Sequence, residues 1–163
     1  MAKEQMVYQV MSKDIVSISE DATMRQAAEL MSSKKIRHLP VTSPRGVIVG
    51  ILSDRDLKRA QKALKINDFE QTVGSGENHL VKYYMNSPVL EVKASEPMGG
   101  VVRRMLGAKI SCLVVVDDFS APCGIVTTDD LLEYLAEVLE NKDREPNGPI
   151  GSLFQLLKKP TYE

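Results

Sequence analysis

The chain is written twice. Gly50 and Gly124 stand 74 positions apart, and sliding the sequence by that interval lays it on itself without a gap. Val7 falls on Val81, Met11 on Met85, Met24 on Met98 and Met31 on Met105. Leu39 falls on Leu113, Val41 on Val115, and Asp56-Leu57 on Asp130-Leu131. An interval kept this long means one supersecondary unit used twice. A unit of about fifty residues is too small to bury a good core alone, so the two copies are expected to pack face to face.

Each copy reads the same way. A short turn ("VYQVM", "VKYYM") enters a brief extended run ("DIVSIS", "PVLEVK"). A helix follows. In the first copy Thr23 and Gln26 form a capping box, and Ala27, Ala28, Leu30 and Met31 pack inward. In the second, Ser95 is the expected cap, Pro97 sits in the first turn, and Gly107 ends the helix. Two strand-like runs come next, "RHLPVT" and "VIVGIL" against "CLVVV" and "CGIV", and a closing helix starts at Ser53 or Thr127. The fold class is therefore α/β (α+β), β-α-β-β-α in tandem. The predicted divisions are 7–65, a linker at 66–80 rich in Asn, Gly and Ser, 81–140, and a C-terminal tail at 141–163. Gly99 and Gly100, early in a helix, imply either a very close neighbour or a loose first turn.

Composition narrows the function. With no Trp and 5% aromatic residues, the core is aliphatic, and the matched methionines belong to it. A net charge of −1 argues against coating nucleic acid or an anionic membrane. No apolar run is long enough for a membrane span or a signal peptide, so the expected location is cytoplasmic. Cys112 and Cys123 form no CxxC and read as buried, reduced thiols. There is no metal spacing, nucleophile–His pairing or phosphate-loop glycine pattern, and His79 with nearby Glu77 is thin support for acid–base chemistry. The chain is not expected to be an enzyme.

What the repeat does carry is "GILSDRD" (50–56) and "GIVTTDD" (124–130), two copies of G-h-x-[ST]-x-x-D, where h is apolar. Serine or threonine followed three residues later by an acid is an ordinary helix-start signal. Its return in the second copy raises the question whether the pair also holds something.

With the tandem β-α-β-β-α order and "IRHLPV" ahead of "GILSDRD", the chain from Val7 to Leu139 resembles a pair of CBS domains, the Bateman module. The resemblance implies a disc-like module with a pseudo-twofold axis and two clefts for adenosine-containing ligands, AMP, ADP or ATP, or S-adenosylmethionine. Carried onto this chain, it places Ser53 and Asp56 on ribose and phosphate in one cleft, and Thr127 and Asp130 in the other. Ile15, Val16 and Ser17, with Val89 and Leu90, would border adenine. Arg37 and His38 match phosphate-reaching positions, and their counterparts Ser111 and Cys112 carry no charge. Arg55 is a further phosphate candidate. The implied function is a regulatory sensor that reports an adenine nucleotide to a separate partner, an enzyme or transporter. The alternative is a ligand-free module for assembly.

Two features bear on assembly. The last helix, "DDLLEYLAEVLE", carries Leu131, Leu135 and Val138 on one face and Leu132, Ala136 and Leu139 on another. A second apolar stripe needs a cover, either a homodimer partner or the tail segment "SLFQLL". Residues 34–65 sum to about +7 and residues 117–145 to about −7, which favours a head-to-tail dimer.

Overall fold

The structure, a computed structural model, describes residues 5–63 and 79–142. Most of the predicted linker and tail lies outside the described residues. The first copy contributes β1 (Ile18–Ser19), α1 (Met24–Lys34), β2 (His38–Thr42), β3 (Ile48–Ser53) and α2 (Asp54–Ala63). The second contributes β4 (Glu91–Lys93), α3 (Met98–Ala108), β5 (Cys112–Val116), β6 (Pro122–Thr127) and α4 (Thr128–Lys142). Each copy makes a three-stranded mixed sheet. β1 runs parallel to β2 and β2 antiparallel to β3, and β4, β5 and β6 repeat that order.

Local chemistry sets the helix ends. The Thr23 hydroxyl accepts from the Gln26 N–H at 3.2 Å, and the Gln26 side chain accepts from the Thr23 N–H at 2.9 Å. The second copy departs from expectation here. Its N-cap is Pro97 rather than Ser95, because Pro97 holds Thr23's place at the start of the helix and has no side-chain acceptor. Nor does Gly107 end α3. Lys109 does, at φ 55, as Lys35 does for α1 at φ 54, each with its N–H returned to the last turn. The extended runs are shorter than predicted: residues 14–17 and 88–90 make no ladder.

The larger departure concerns the lead-in turns. Val7 belongs to the second copy's core, with Val92, Met98, Val101, Leu113 and Val126. Val81 belongs to the first copy's core, with Met24, Ala27, Leu39 and Leu52. Backbone bonds fix the exchange: Val7 N–H to Glu96 at 3.0 Å, Ser12 N–H to Ile125 at 2.9 Å, Val81 N–H to Ala22 at 2.8 Å, and Asn86 N–H to Ile51 at 2.8 Å. His79, in the predicted linker, is buried and lies 2.7 Å from the Tyr84 hydroxyl. Both valines are fully buried, and each stabilises the partner copy by about 1.5–3 kcal/mol.

The exchange explains the glycines of the repeated motif. A Cβ on Gly50 would overlap Met85 Sδ and lie 3.1 Å from the Asn86 carbonyl, and one on Gly124 would meet Met11 Sδ and the Ser12 carbonyl at 2.8 Å. Met11 and Met85 each lie across the other copy's third strand. By contrast, a Cβ at Gly100 has nothing within 4 Å, and at Gly99 only an Arg103 nitrogen at 3.7 Å, so no close neighbour requires this pair.

Two outcomes are expected by scanning calorimetry. Gly124→Ala should destabilise by about 1–3 kcal/mol, and Met11→Ala should not relieve it, because the Ser12 carbonyl stays in place. Gly50→Ala should be less harmful in a Met85→Ala background, with a residual cost because the Asn86 carbonyl stays 3.1 Å from the added Cβ. Gly100→Ala should instead raise the melting temperature, by the equivalent of about 0.5–1 kcal/mol.

Candidate functional site

Strand register and helix starts bring the repeated motif to the junction of the copies. β2 pairs His38 with Ser53, and β5 pairs Cys112 with Thr127. α2 begins at Asp54 directly after β3, and α4 at Thr128 directly after β6. The aspartates occupy the third helical position and reach back. Asp56 Oδ2 accepts from the Ser53 N–H at 2.8 Å and the Ser53 hydroxyl at 2.5 Å. Asp130 Oδ2 accepts from Thr127 N–H at 2.7 Å and its hydroxyl at 2.6 Å. Both motifs are therefore caps.

They are also walls of two clefts. The exchanged segment supplies a further donor to each aspartate: Asn86 Nδ2 to Asp56 Oδ2 at 3.0 Å, and the Ser12 hydroxyl to Asp130 Oδ1 at 2.9 Å. Asp56 is buried, and its Oδ1 takes only a long 3.4 Å contact from Arg59 among the described residues. That oxygen remains able to accept from a ligand.

The first cleft encloses about 700 Å³, counting its open mouth. Ser53, Arg55, Asp56 and Arg59 form one side, with Ile51, His38 and Asn86. Pro88, Val89, Leu90, Lys109, Ile110, Ser111 and Cys112 form the other. The second cleft, about 620 Å³, lies between Thr127, Asp129, Asp130, Ile125 and Ser12 on one side and Lys35, Ile36, Arg37 and His38 on the other. The structure thus gathers Ser53, Arg55, Asp56, Val89, Leu90, Ser111 and Cys112 in the first cleft, and Arg37, Thr127 and Asp130 in the second. Ile15, Val16 and Ser17 line neither. Val16 packs partly against the first core and Ser17 is exposed.

His38 borders both clefts. Its Nε2 lies 2.8 Å from the Ser111 hydroxyl, across the axis relating the copies. Burial pushes its pKa below the ordinary value, opposed by Asp129 and reinforced by Arg37, so the imidazole is neutral at pH 7. Cys112 is buried, and desolvation pushes its thiol up to about 12, which makes it a neutral wall rather than a nucleophile. Cys123 is only half-buried, short of the full burial expected, because it sits near the open end of β6.

Sequence reasoning missed Asn86, Ser12, Lys109, Lys35, Arg59 and Asp129. A usable signal existed for the first two. Each is the polar residue directly after a matched methionine, Met85 or Met11. Among the described residues no group of three His, Cys, Asp or Glu is placed to hold a metal, and no helix is long and apolar enough to cross a membrane.

Comparison with known proteins agrees with this architecture. The CBS domain family profile matches residues 7–63 and 81–137. A CBS domain-containing protein of Dictyostelium discoideum is 31% identical over 137 residues, covering 83% of this chain and 94% of the relative. Similar segments occur inside enzymes. The homoserine O-acetyltransferase of Methanococcoides burtonii is 31% identical over 125 residues, 77% of this chain but 23% of that protein. Among solved structures, the CBS domain pair of protein MJ0100 with 5'-methylthioadenosine and S-adenosyl-L-methionine has a TM-score of 0.68 at 25% identity, covering 80% of this chain and 99% of the other. CBSX2 in complex with AMP has a TM-score of 0.64 at 25% identity, covering 82% and 97%. The chain belongs to the CBS domain family and carries two CBS domains in tandem.

Proposed function

We propose that the chain is a regulatory module that binds an adenine nucleotide, AMP, ADP or ATP, in its first cleft and reports occupancy to a separate partner, an enzyme or transporter. The observation that carries this reading is the composition of that cleft. A buried carboxylate with an available oxygen, Asp56, faces an apolar wall of Val89 and Leu90, and Arg55, Arg59 and Lys109 line the same space. Ribose hydroxyls would donate to Asp56, the purine would lie on Val89 and Leu90, and phosphate would meet the cations. CBSX2 with AMP and the MJ0100 pair with adenosyl ligands are precedents on the same fold. A ligand so placed touches both copies, so its binding energy bears on how they sit together. That is the physical requirement for a signal.

Assembly supplies a route for output. Leu132, Leu135 and Leu139 of α4 are 62%, 49% and 39% exposed, while Leu131 packs against the second core and Val138 is half-buried, so α4 carries an exposed apolar stripe. Leu135 joins the outer stripe rather than the inner one expected of it. We propose a homodimer through this stripe, head to tail, with the basic α2 region against the acidic α4 of the partner. Exposed pairs contribute only about 0.2–1 kcal/mol each, so charge sets orientation and the leucines drive association.

Two measurements test these readings. In calorimetric titration with AMP, Asp56→Ala should weaken binding tenfold to a hundredfold, since a hydrogen bond to a charged group contributes about 1.5–3 kcal/mol. Asp56→Ala also leaves the Ser53 and Asn86 donors without their acceptor, at a cost of about 1–3 kcal/mol, so a circular dichroism melt checks that the variant is folded. Unchanged affinity in Asp56→Ala would reduce the motif to a cap. In light scattering, the parent should be a dimer at tens of micromolar and Leu132→Glu/Leu135→Glu a monomer. A monomeric parent would leave the stripe to another cover.

A further inference from the structure

The interval that aligns the copies also pairs the charged residues around the two clefts, and the pairs do not match. Arg55, in the first turn of α2, stands where α4 carries Asp129. Arg59 stands where α4 carries Glu133. The lysines are matched: Lys109 and Lys35 line opposite clefts from the same left-handed position. The first cleft therefore sets Arg55, Arg59 and Lys109 against Asp56, and the second sets Lys35 and Arg37 against Asp129 and Asp130. One is cationic and the other balanced.

Asp129 does more than balance charge. Arg37 Nε donates to Asp129 Oδ2 at 2.9 Å, and a terminal nitrogen of the same guanidinium donates to Oδ1. This is the two-pronged geometry by which arginine holds a phosphate. The fork is already filled, by a carboxylate that belongs to the chain. A phosphate entering here must displace Asp129 and then lie beside its charge. In the first cleft, Arg55 and Lys109 have no ion-pair partner among the described residues. Elements suited to a nucleoside are also present in the second cleft: the Asp130 carboxylate, whose Oδ1 takes one hydrogen bond from the Ser12 hydroxyl and has a lone pair left to accept another, and Ile36 and Ile125 as apolar walls.

We infer that the second cleft selects an adenosine-type ligand without a phosphate, and that Asp129 is the residue that sets this selectivity. The inference rests on the reading of the clefts as nucleoside sites. A neutral or cationic 5' substituent is compatible with Asp129, and an anionic one is not.

Titration calorimetry of the full chain with adenosine and with AMP tests this. The parent should take two adenosines per chain but one AMP. Asp129→Ala should take two AMP, its second site binding AMP at least tenfold more tightly than that site does in the parent. Arg55→Asp tests the same rule from the other side, and should lose AMP from the first cleft while keeping two adenosines. Circular dichroism melts of both variants check the fold, and the parent stoichiometries stand without them. Two equal AMP sites in the parent, or one AMP site in a folded Asp129→Ala that still takes two adenosines, would overturn the selectivity and leave the nucleotide reading intact. No binding of either ligand to the parent would overturn both.

Discussion

Val7 buried in the second copy's core and Val81 buried in the first form the reciprocal contact on which the rest of the structure depends. Each copy lacks one side of its own core and receives it from the other. Neither is then a complete domain. The exchange also carries polar groups to the places where they act: the segment after Val81 delivers Asn86 to Asp56, and the segment after Val7 delivers Ser12 to Asp130. Close passage of Met85 and Met11 explains why Gly50 and Gly124 open the motif, three residues before its serine or threonine. Fold and site are thus one construction. A side chain at either glycine would push on the segment that holds the aspartate's partner.

The motif fits two roles, helix cap and proposed ligand site, in one geometry. A carboxylate at the third helical position that accepts the N–H of the last strand residue caps the helix. The same bonds hold its second oxygen toward the cleft. In the proposed complex, binding would draw on the Asp56 oxygen that does not cap the helix, so the two roles would not compete. The copies diverge in the residues around this shared frame. Arg55 in one copy and Asp129 at the matched position in the other change the charge of a cleft without altering strand order or register.

The repeat, the β-α-β-β-α order and the Thr23–Gln26 box were all readable from the chain, because each depends on spacing within a copy. The Pro97 start of α3 was not, since a serine nearby looks like a cap until the backbone shows where the helix begins. The exchange was invisible for a related reason. An apolar residue at Val7 or Val81 says that some core buries it, and not which one. The residues that line the clefts divided along the same line. Ser53, Asp56, Thr127 and Asp130 stood out through a local motif, and the resemblance to CBS pairs made them site candidates. The cleft to which Arg37 belongs, the role of Asn86, and the absence of Ile15, Val16 and Ser17 from both linings depend on how the copies meet. The resemblance to CBS pairs supplied the idea of shared clefts. The geometry shows that they are unequal.

A crystal structure of the chain grown with saturating AMP bears most directly on the central claim, that the first cleft is a nucleotide site assembled from both copies. The account predicts ribose hydroxyls on Asp56, the purine against Val89 and Leu90, and the phosphate among Arg55, Arg59 and Lys109. An empty first cleft, or AMP held by one copy alone, would contradict it.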